Sequence, residues 1–431
     1  MTPGARIAAA IEVLAAIETQ RRPAHDAMRE WGISHRFAGS KDRSAISALV
    51  HDALRVRSSA AWIMGEATPR AVMLGALRRS RGMEPDAIAA LCNGEGHSPS
   101  PLTGEEAARL VADDLSGAPA HVQGDYPEWL AASLEQVFGA EAVDEGRALA
   151  QRAPVDLRAN ALKTTRDRAL AELSHLDPEP TKLSPLGLRI AIGPDGRGPA
   201  LMAEPAYVKG LIEVQDEGSQ LAALLAAAKP GMQVLDLCAG GGGKTLALAG
   251  GMDGTGQVYS TDSDGRRLMP IFARLERAGV RNVQVRPPKG KLPAALGDLK
   301  DRCDIVFVDA PCTGAGTWRR NPDAKWRTRP GALEQRMKEQ DQVLDQAAQF
   351  VKQNGTIVYV TCSLLREENE DRIAAFLHRH TNYLPIEAAH MARRAELPQL
   401  AEFGSKLGPG IRLTPRSAGT DGFYVCVLLR Q

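Results

Sequence analysis

Two cysteines occupy positions where sheet-based enzymes carry reactive groups. Cys312 follows the apolar run CDIVFVD at residues 303–309, and Cys362 follows the run GTIVYVT at residues 355–361. Both runs are rich in β-branched residues, which predicts buried parallel strands with a cysteine just beyond each carboxyl end. Because ligands bind outside the carboxyl ends of such strands, a thiolate at either position is a candidate nucleophile.

The other four cysteines carry a weaker signal. A free buried cysteine usually packs as a small hydrophobe, and we expect this of Cys92, Cys303 and Cys426. Cys238 is left open because it lies in a glycine-rich segment. No cysteines are spaced as CxxC or as zinc ligands, so we expect neither a metal site nor a disulfide framework.

The second chemical signal is the segment MQVLDLCAGGGGKT at residues 232–245. An apolar run, four glycines and an Ala/Leu-rich stretch predict a strand, a turn and a helix, which is how a doubly wound α/β domain begins. Glycine allows positive φ angles and lets a ligand approach the backbone closely. A phosphate-binding P-loop would need glycine at position 238, where the chain has Cys238. A turn that serves packing alone is the other alternative.

We favour a nucleoside-type cofactor at this turn, with S-adenosylmethionine as the leading candidate. The next predicted strand, residues 257–261, leads directly into Asp262. An acid at that place can accept hydrogen bonds from ribose hydroxyls, and its spacing from the first strand suits that role.

A methyl-donating cofactor and a cysteine nucleophile together suit methylation of a pyrimidine at carbon 5. A thiolate that adds to carbon 6 makes carbon 5 nucleophilic enough to attack the methyl group, after which a base removes the carbon-5 proton and the thiol is eliminated. Asp309 can hold the cytosine edge through its exocyclic amine or its protonated ring nitrogen. The chemistry alone does not decide which of Cys312 and Cys362 attacks.

The segment GTWRRNPDAKWRTRP at residues 316–330 predicts a loop that binds nucleic acid. Arginine and lysine contact phosphates, and tryptophan can stack on unpaired bases. The candidate RNA-binding residues are Arg319, Arg320, Lys325 and Arg327. A solvated charged loop with structural tryptophans is the alternative. The target base must be extruded or already unpaired to reach the cysteines.

Composition sets few further bounds. The 431 residues include 53 Lys+Arg and 52 Asp+Glu, so any basic surface must be local. Charged residues interrupt the apolar N-terminal stripe, which argues against a signal peptide or a membrane span. We expect a cytoplasmic monomer without a membrane partner.

The patterns predict an all-α domain at residues 1–115, a small α+β module at 126–213 and a Rossmann-like α/β domain at 214–431.

Five motifs together resemble the RsmB/Sun family of RNA cytosine-5 methyltransferases. They are TCS at residues 361–363 with Glu368 and Asn369, DAPC at 309–312, RRNPDAKWR at 319–327, CAGGGGKT at 238–245 and DGFY at 421–424. The resemblance covers roughly residues 126–431, and the first hundred residues look like the NusB-like RNA-binding domain of the RsmB branch. It implies a class I methyltransferase domain that uses S-adenosylmethionine.

The resemblance also assigns roles to residues. It implies that Cys362 is the nucleophile and that Cys312 assists release of the product. The implied cofactor-binding residues are Cys238, Ala239, Gly240, Gly241, Gly242, Gly243, Lys244, Asp262, Arg267 and Asp309. The implied substrate is 16S-type ribosomal RNA. A tRNA target and a non-catalytic, RNA-binding ribosome assembly factor are the alternatives.

Two departures from the family pattern concern the cofactor. The family usually has Ala-Pro-Gly-Gly-Lys where this chain has four glycines before Lys244, which should loosen the loop. The family also usually has an acid near the adenine after the third strand, where this chain has Arg286-Pro287-Pro288-Lys289. We therefore expect altered adenine recognition and a lower cofactor affinity.

Overall fold

The computed structural model describes residues 1–20, 22–193, 196, 198–290 and 294–431. The described residues form two compact units. The helical unit comprises Met1–Ala153, the described residues of 192–197, and Thr317–Thr328. The sheet unit comprises Pro154–Ala191 and the described residues of 198–316 and 329–431.

The helical unit is built from short and medium helices joined by tight turns. Thr68 and Thr103 each accept a backbone N–H at a helix start, and Glu106 completes a capping box with Thr103. The predicted apolar stripes form one core in which residues such as Ile46, Val50 and Leu74 have almost no exposure. Its helices are Pro3–Gln20, Ala24–Ser34, Ser40–Arg55, Arg57–Met64, Pro69–Arg79, Pro85–Leu91, Gly104–Ala112, Ala120–Gln123, Ala131–Phe138, Ala142–Ala150 and Pro322–Arg327.

The segment that the sequence predicted as a basic loop is partly helical. Pro322 occupies the first helical position of Pro322–Arg327, where its fixed φ favours a helix and its missing N–H costs nothing. Trp318 is only 2% exposed. The prediction of an open loop over residues 316–330 is therefore wrong for this stretch.

The sheet unit contains a small antiparallel sheet that precedes the main one. Its strands are β1 (Val155–Ala159), β2 (Glu179–Pro180), β3 (Gly187–Ile190) and β4 (Ile212–Val214), in the spatial order β2-β3-β1-β4. Inward side chains such as Leu157, Leu188 and Ile212 form its core with the helices Arg166–Glu172 and Pro205–Val208. This confirms an α+β arrangement over these residues.

The main sheet has eight strands, five of them parallel. They are β5 (Gln233–Asp236), β6 (Gln257–Ser260), β7 (Val283–Val285), β8 (Cys303–Asp309), β9 (Val351–Thr361), β10 (Tyr383–Pro385), β11 (Ile411–Leu413) and β12 (Phe423–Arg430). The spatial order is β10-β12-β9-β8-β5-β6-β7, with β11 also paired to β12. Strands β5 to β9 are parallel, and β10 to β12 pair antiparallel. The predicted Rossmann-like α/β fold is confirmed.

Helices cover this sheet, and its central strands are buried. In β8, Val306, Phe307 and Val308 have no exposure, as expected of a strand covered on both faces. The helices of the sheet unit after β4 are Glu217–Leu224, Gly243–Gly251, Gly265–Leu268, Pro270–Ala278, Pro330–Ala347, Glu370–Arg379 and Ala388–Arg394. Parallel pairing places the carboxyl ends of β5, β6, β8 and β9 along one edge of the sheet.

The two units do not coincide with the three predicted domains. The helices up to Ala150 group with the helical unit, and both sheets belong to the sheet unit. The boundaries 1–115, 126–213 and 214–431 remain predictions about parts that fold independently. Within the described ranges, every helix is too short or too polar to cross a membrane.

Candidate active site at the carboxyl edge of the sheet

The two cysteines chosen from the sequence lie side by side. Their Sγ atoms are 3.3 Å apart, and both side chains are partly buried. Cys312 lies in the loop after β8 and Cys362 directly follows β9, the parallel neighbour of β8. The backbone N–H of Gly316 donates to the carbonyl of Cys362 at 2.9 Å, which joins the two loops. The adjacent strands therefore bring both thiols to one point.

Buried Glu368 fixes the loop that carries Cys312. Its carboxylate accepts hydrogen bonds from the Thr313 backbone N–H at 2.8 Å, the Thr313 hydroxyl at 2.5 Å and the Gln340 amide at 3.0 Å. Burial raises the pKa of Glu368, and these donors act in the opposite direction. The carboxylate thus holds Thr313, the residue next to Cys312, in one position.

A second set of hydrogen bonds fixes the loop that carries Cys362. The Thr361 hydroxyl donates to the Asn369 side-chain oxygen at 2.5 Å, and the Asn369 amide donates to the Ser363 carbonyl at 3.0 Å. Both residues that flank Cys362 are therefore tied to Asn369. From the sequence, Glu368 and Asn369 were predicted only as parts of a motif. The hydrogen bonds of Thr313 and Gln340 to Glu368 were not predicted.

Cys312 is held in its protonated form by its surroundings. The hydrogen bond to Cys362, together with burial, raises the pKa of Cys312 well above its usual value. Cys312 therefore remains protonated near neutral pH, and its S–H can be donated to a thiolate on Cys362. A protonated Cys312 can act as a donor, which is consistent with the attacking role that the resemblance gives to Cys362.

Lys244 places a positive charge close to the thiols. Its Nζ lies 2.7 Å from Asp309 Oδ2. Burial alone would lower the pKa of Lys244, but the Asp309 carboxylate, with a smaller contribution from Cys362, outweighs burial and raises it. A lysine that stays charged stabilises both the Asp309 carboxylate and a nearby thiolate.

The glycine loop has the backbone that its sequence predicts. Gly240 and Gly242 have φ angles of 49° and 82°, and a Cβ at Gly242 would lie 2.4 Å from the Ile271 side chain. The Arg274 guanidinium donates to the Gly241 carbonyl at 2.8 Å. Arg274 also pairs with Glu213 at 3.2 Å, which fixes its position. Sequence analysis had not identified this arginine as a support for the loop.

Asp262 organises the loop from the next strand. Its Oδ2 accepts the Gly240 N–H at 3.0 Å, and its Oδ1 accepts the Asp264 N–H at 2.9 Å. Each oxygen keeps a further lone pair for a ribose hydroxyl. Arg267 approaches Asp262 only to 3.9 Å, and its side chain is 60% exposed.

A cavity of about 380 Å³ opens beside this loop. Its size suits a nucleoside-type ligand. Of the predicted cofactor residues, Cys238, Asp262 and Arg267 line it. The others are not part of its lining: Ala239, Gly240, Gly241, Gly242, Gly243, Lys244 and Asp309. Gln342 and Gln346, on the Pro330–Ala347 helix, also line it and were not predicted.

In the stretch that directly follows β7, none of the described residues contributes a carboxylate to the cavity wall. Arg286 instead pairs with Asp298 at 2.8 Å and lies over the Tyr259 ring, 4.7 Å from its centroid. Ala294 and Leu296 line the cavity here. An adenine base would therefore meet apolar side chains where the family pattern supplies an acid.

Asp236, at the carboxyl end of β5, is completely buried. Its Oδ2 accepts the Thr245 hydroxyl at 2.6 Å, whereas Oδ1 has no hydrogen-bond partner in the described part of the chain. Burial raises the pKa of Asp236 to about 7, against the smaller lowering effect of Thr245. The glycine loop is thus supported by a carboxyl group that is partly neutral at neutral pH.

The four predicted RNA-binding residues differ in their exposure and in their partners. Lys325 is 1% exposed and donates to the Arg55 carbonyl at 2.9 Å, and burial lowers its pKa to about 8. This ammonium cannot reach an RNA phosphate, which corrects the prediction for Lys325. Arg327 is more exposed and pairs with Asp323 at 3.1 Å. Arg319 and Arg320 line a second cavity within the helical unit.

Two further predictions concerned the cysteines: three of them were expected to pack in the core, and none was expected to bind a metal. Cys92, Cys303 and Cys426 are buried, and all six cysteines are free thiols. Among the residues that the structure describes, no group of three or more His, Cys, Asp or Glu side chains could hold a metal ion.

Comparison with solved structures supports the fold. A protein designated PH0851 superposes with a TM-score of 0.72 at 24% sequence identity, and the match covers 99% of each chain. NSun6 from Pyrococcus horikoshii, solved with an analogue of S-adenosylmethionine, gives a TM-score of 0.59 at 21% identity, covering 70% of this chain and 98% of that one.

Sequence comparison identifies the family. The family model described as 16S rRNA methyltransferase RsmB/F matches residues 222–429, and the ferredoxin-like domain model of the same family matches residues 126–194. Ribosomal RNA small subunit methyltransferase B of Erwinia tasmaniensis is 33% identical over 315 residues, covering 71% of this chain and 66% of that protein.

A second relative agrees with the first. The probable ribosomal RNA small subunit methyltransferase B of Synechocystis is also 33% identical, over 71% of this chain and 67% of that protein. The matches thus span about two thirds of the length of these relatives. The chain belongs to the RsmB/F family of S-adenosylmethionine-dependent RNA methyltransferases.

Proposed function

We propose that this protein methylates carbon 5 of a cytosine in small-subunit ribosomal RNA through a covalent bond to Cys362. The observation that carries the proposal is the pair of thiols 3.3 Å apart at the carboxyl edge of the sheet. The cavity assigned to the cofactor opens at the same edge. Cofactor and nucleophile can therefore act on one base.

The reaction begins when the Cys362 thiolate adds to carbon 6 of the cytosine and forms an S–C bond. The electrons of the former C5–C6 double bond let carbon 5 attack the methyl carbon of S-adenosylmethionine, and the methyl–sulfur bond breaks to release S-adenosylhomocysteine. A base then takes the carbon-5 proton, the double bond re-forms, and the thiolate of Cys362 leaves.

The protein supplies electrostatic and positional support for these steps. Asp309 would hold the cytosine edge, and its ion pair with Lys244 would keep the carboxylate in position. Cys312 can donate its S–H to Cys362 and promote the final elimination. Asp262, which lines the cavity and accepts the Gly240 N–H of the glycine loop, is the group that would hold the ribose of the cofactor.

The choice of RNA rests on the relatives. Those reported above are named as methyltransferases of the ribosomal small subunit. A tRNA target would use the same chemistry, since nothing at the thiols distinguishes the two RNAs. A non-catalytic assembly factor is disfavoured because both thiols and their supporting hydrogen bonds are intact.

The substrate can be identified with labelled S-adenosylmethionine and RNA from cells that lack this protein. The expected product is 5-methylcytosine at a defined position of small-subunit ribosomal RNA, located by bisulfite sequencing. The same mark in tRNA alone would overturn the target. Absence of transfer to free RNA and to small subunits would overturn the activity.

The covalent step can be tested with Cys312→Ala. If Cys312 promotes elimination, this variant should accumulate a protein–RNA adduct that migrates slowly on a denaturing gel. The matched control is the double variant Cys312→Ala/Cys362→Ala, which lacks the nucleophile and should show no adduct. An adduct that persists in the double variant would contradict the assignment of Cys362.

A further inference from the structure

The helical unit contains a cavity of about 720 Å³ with an unusual concentration of arginine. All of its lining residues belong to that unit. Its charged lining consists of two aspartates, Asp52 and Asp125, and five arginines, Arg55, Arg79, Arg81, Arg147 and Arg152. The excess of positive charge marks it as a site for an anion.

Arg55 is the most deeply buried of these arginines. Its side chain is 8% exposed, and neither Nε nor Nη1 has a hydrogen-bond partner among the described residues. Its nearest carboxylate oxygen, on Asp52, is 3.9 Å from Nε. Burying an unpaired guanidinium is costly, so a buried arginine with free donors indicates an acceptor that comes from outside the protein.

Asp52 does not need Arg55 as a partner. Arg152 donates to Asp52 Oδ1 at 2.7 Å, and Arg81 donates to Oδ2 at 3.0 Å. Among the described residues, three guanidinium groups therefore surround this one carboxylate, two more than its single charge balances. Burial lowers the pKa of Arg55 to about 10, so this arginine still carries its charge at neutral pH.

Asp125 offsets little of this charge. Its carboxyl group accepts the backbone N–H of Ser59 at 2.9 Å and the Ser59 hydroxyl at 2.6 Å. Burial raises the pKa of Asp125, although Lys325 and Ser59 act in the opposite direction. The second acid of the cavity is thus occupied by hydrogen bonds from the protein.

A neighbouring cavity extends the basic surface. It measures about 370 Å³, shares Arg55 and Arg152 with the first, and is also lined by Arg319 and Arg320. These last two arginines belong to the segment that the sequence pattern assigned to RNA. One buried arginine thus connects two cavities of the same unit, and arginine is well suited to phosphate because its donors form a planar fork.

We propose that these two cavities form one groove for the phosphodiester backbone of RNA, with Arg55 as its buried donor to a phosphate oxygen. The groove is defined by Arg55, Arg81, Arg152, Arg319 and Arg320, which line the cavities of about 720 and 370 Å³. The proposal rests on RNA being the substrate of the proposed function, but its test needs no methyl transfer.

The test compares Arg55→Met with Arg29→Met in the full-length protein. Arg29 lies in the same unit, its side chain is 68% exposed, and it lines neither cavity, so its variant removes the same charge from the surface. We expect Arg55→Met to bind small-subunit ribosomal RNA about 10-fold more weakly. The slope of log K against log salt should also fall by about 0.7, the value for one lost phosphate contact. Arg29→Met should change both quantities less.

Thermal unfolding separates this role from a structural one. Because Arg55 has unpaired donors and Asp52 keeps two other arginines, we expect the melting temperature of Arg55→Met to equal or exceed that of the wild type. A lower melting temperature would show that Arg55 is paired within the protein and would overturn the proposal. Equal RNA affinity and equal salt slope for the two variants would also overturn it.

Inorganic phosphate distinguishes a free anion from RNA as the source of the phosphate group. A phosphate-induced rise in melting temperature that disappears in Arg55→Met, together with weaker RNA binding, supports the groove. The same rise without any effect of Arg55 on RNA binding would make it a site for free phosphate and overturn the RNA assignment. If the wild type binds RNA through Arg55 but transfers no methyl group, the proposed activity fails and the groove stands.

Discussion

Two pairs of cysteines in the same sheet have opposite surroundings. Cys303 begins β8 and Cys426 lies within β12, where burial raises the pKa of each to about 12. Cys312 and Cys362 lie just beyond the carboxyl ends of β8 and β9, in contact with each other and close to the Lys244 charge. The two regions are joined by a single strand, β8, which starts at one cysteine and leads to another.

The difference shows that position along a strand, rather than residue type, decides what a thiol can do. For the cysteines inside the sheet, burial is the largest influence on the pKa, and the Leu299 carbonyl lies 4.0 Å from Cys303 Sγ. A cysteine at the carboxyl edge meets loops that bring charges and hydrogen-bond donors. A cysteine at the carboxyl edge should therefore be more reactive than a cysteine inside the sheet.

The largest expected effect comes from exchanging cysteine for alanine in each region. Cys362→Ala should reduce methyl transfer by at least about 10³-fold, because it removes the proposed nucleophile and, without the hydrogen bond to Cys362, burial still raises the pKa of the neighbouring Cys312 thiol. Cys303→Ala is the matched control, since it removes the same atom from a buried position in the same sheet. We expect its activity per folded molecule to stay within about twofold of the wild type.

Both variants should be measured at a temperature where circular dichroism shows them to be folded. Substantial turnover by Cys362→Ala would break the comparison, because the edge thiol would then be dispensable. A large loss of activity in folded Cys303→Ala would also contradict the comparison, because the buried thiol would then be needed for activity.

A second prediction concerns the buried acid at the same edge. The pKa of Asp236 in the folded protein is about 7, above its usual value of 3.8, so its favourable contribution is present below pH 4 and is lost as the pH rises to 7. Asp236→Asn cannot ionise. Its stability relative to the wild type should therefore grow by about 2–3 kcal/mol between pH 5 and pH 8, measured by denaturant unfolding.

Asp264→Asn serves as the control with the opposite sign. The hydrogen bond from Arg266 lowers the pKa of Asp264, so this carboxylate is ionised throughout that pH range in both states. Its variant should differ from the wild type by the same amount at pH 5 and pH 8. A stability difference for Asp236→Asn that does not change with pH would show that Asp236 is ionised in the folded protein.

The sequence was sufficient for the strands and for the two thiols. Apolar β-branched runs identified β5, β6, β8 and β9, and parallel pairing then required Cys312 and Cys362 to meet at one edge. The sequence did not show whether each charged side chain is exposed or buried. Lys325 follows the same sequence pattern as Arg327, which is exposed, and only the packing of its helix shows that Lys325 is buried.

The cofactor cavity illustrates the same limit. Cys238 and Asp262 lie next to strands and were found from the strand pattern, whereas Gln342 and Gln346 are spaced as on any polar helix face. Arg274 likewise reads as a surface arginine of an amphipathic helix until its hydrogen bond to Gly241 is seen. Contacts between distant segments leave no local signal in the sequence.

A third prediction asks whether the edge thiols depend on their supporting network. In Glu368→Gln, an amide NH₂ replaces one of the oxygens that accept from Thr313 and Gln340, so the Cys312 loop should shift. We expect kcat to fall by about 10- to 100-fold with little change in the affinity for S-adenosylmethionine. Exposed Glu334→Gln is the control for the change of charge. Equal loss of kcat and cofactor affinity would indicate general disruption instead.

The smallest expected effect is at the exposed margin of the cofactor cavity. Arg267 lines the cavity, but it is 60% exposed and 3.9 Å from Asp262, and solvent weakens such pairs to about 1 kcal/mol or less. Arg267→Ala should therefore raise the Kd for S-adenosylmethionine only about 2- to 5-fold, as measured by calorimetry. Arg266→Ala is the matched control, because Arg266 is 93% exposed and does not line the cavity. A loss of affinity for S-adenosylmethionine of more than about 20-fold in Arg267→Ala, but not in Arg266→Ala, would mean that Arg267 contacts the bound cofactor directly. The exposure of a side chain would then be a poor guide to its function along this edge.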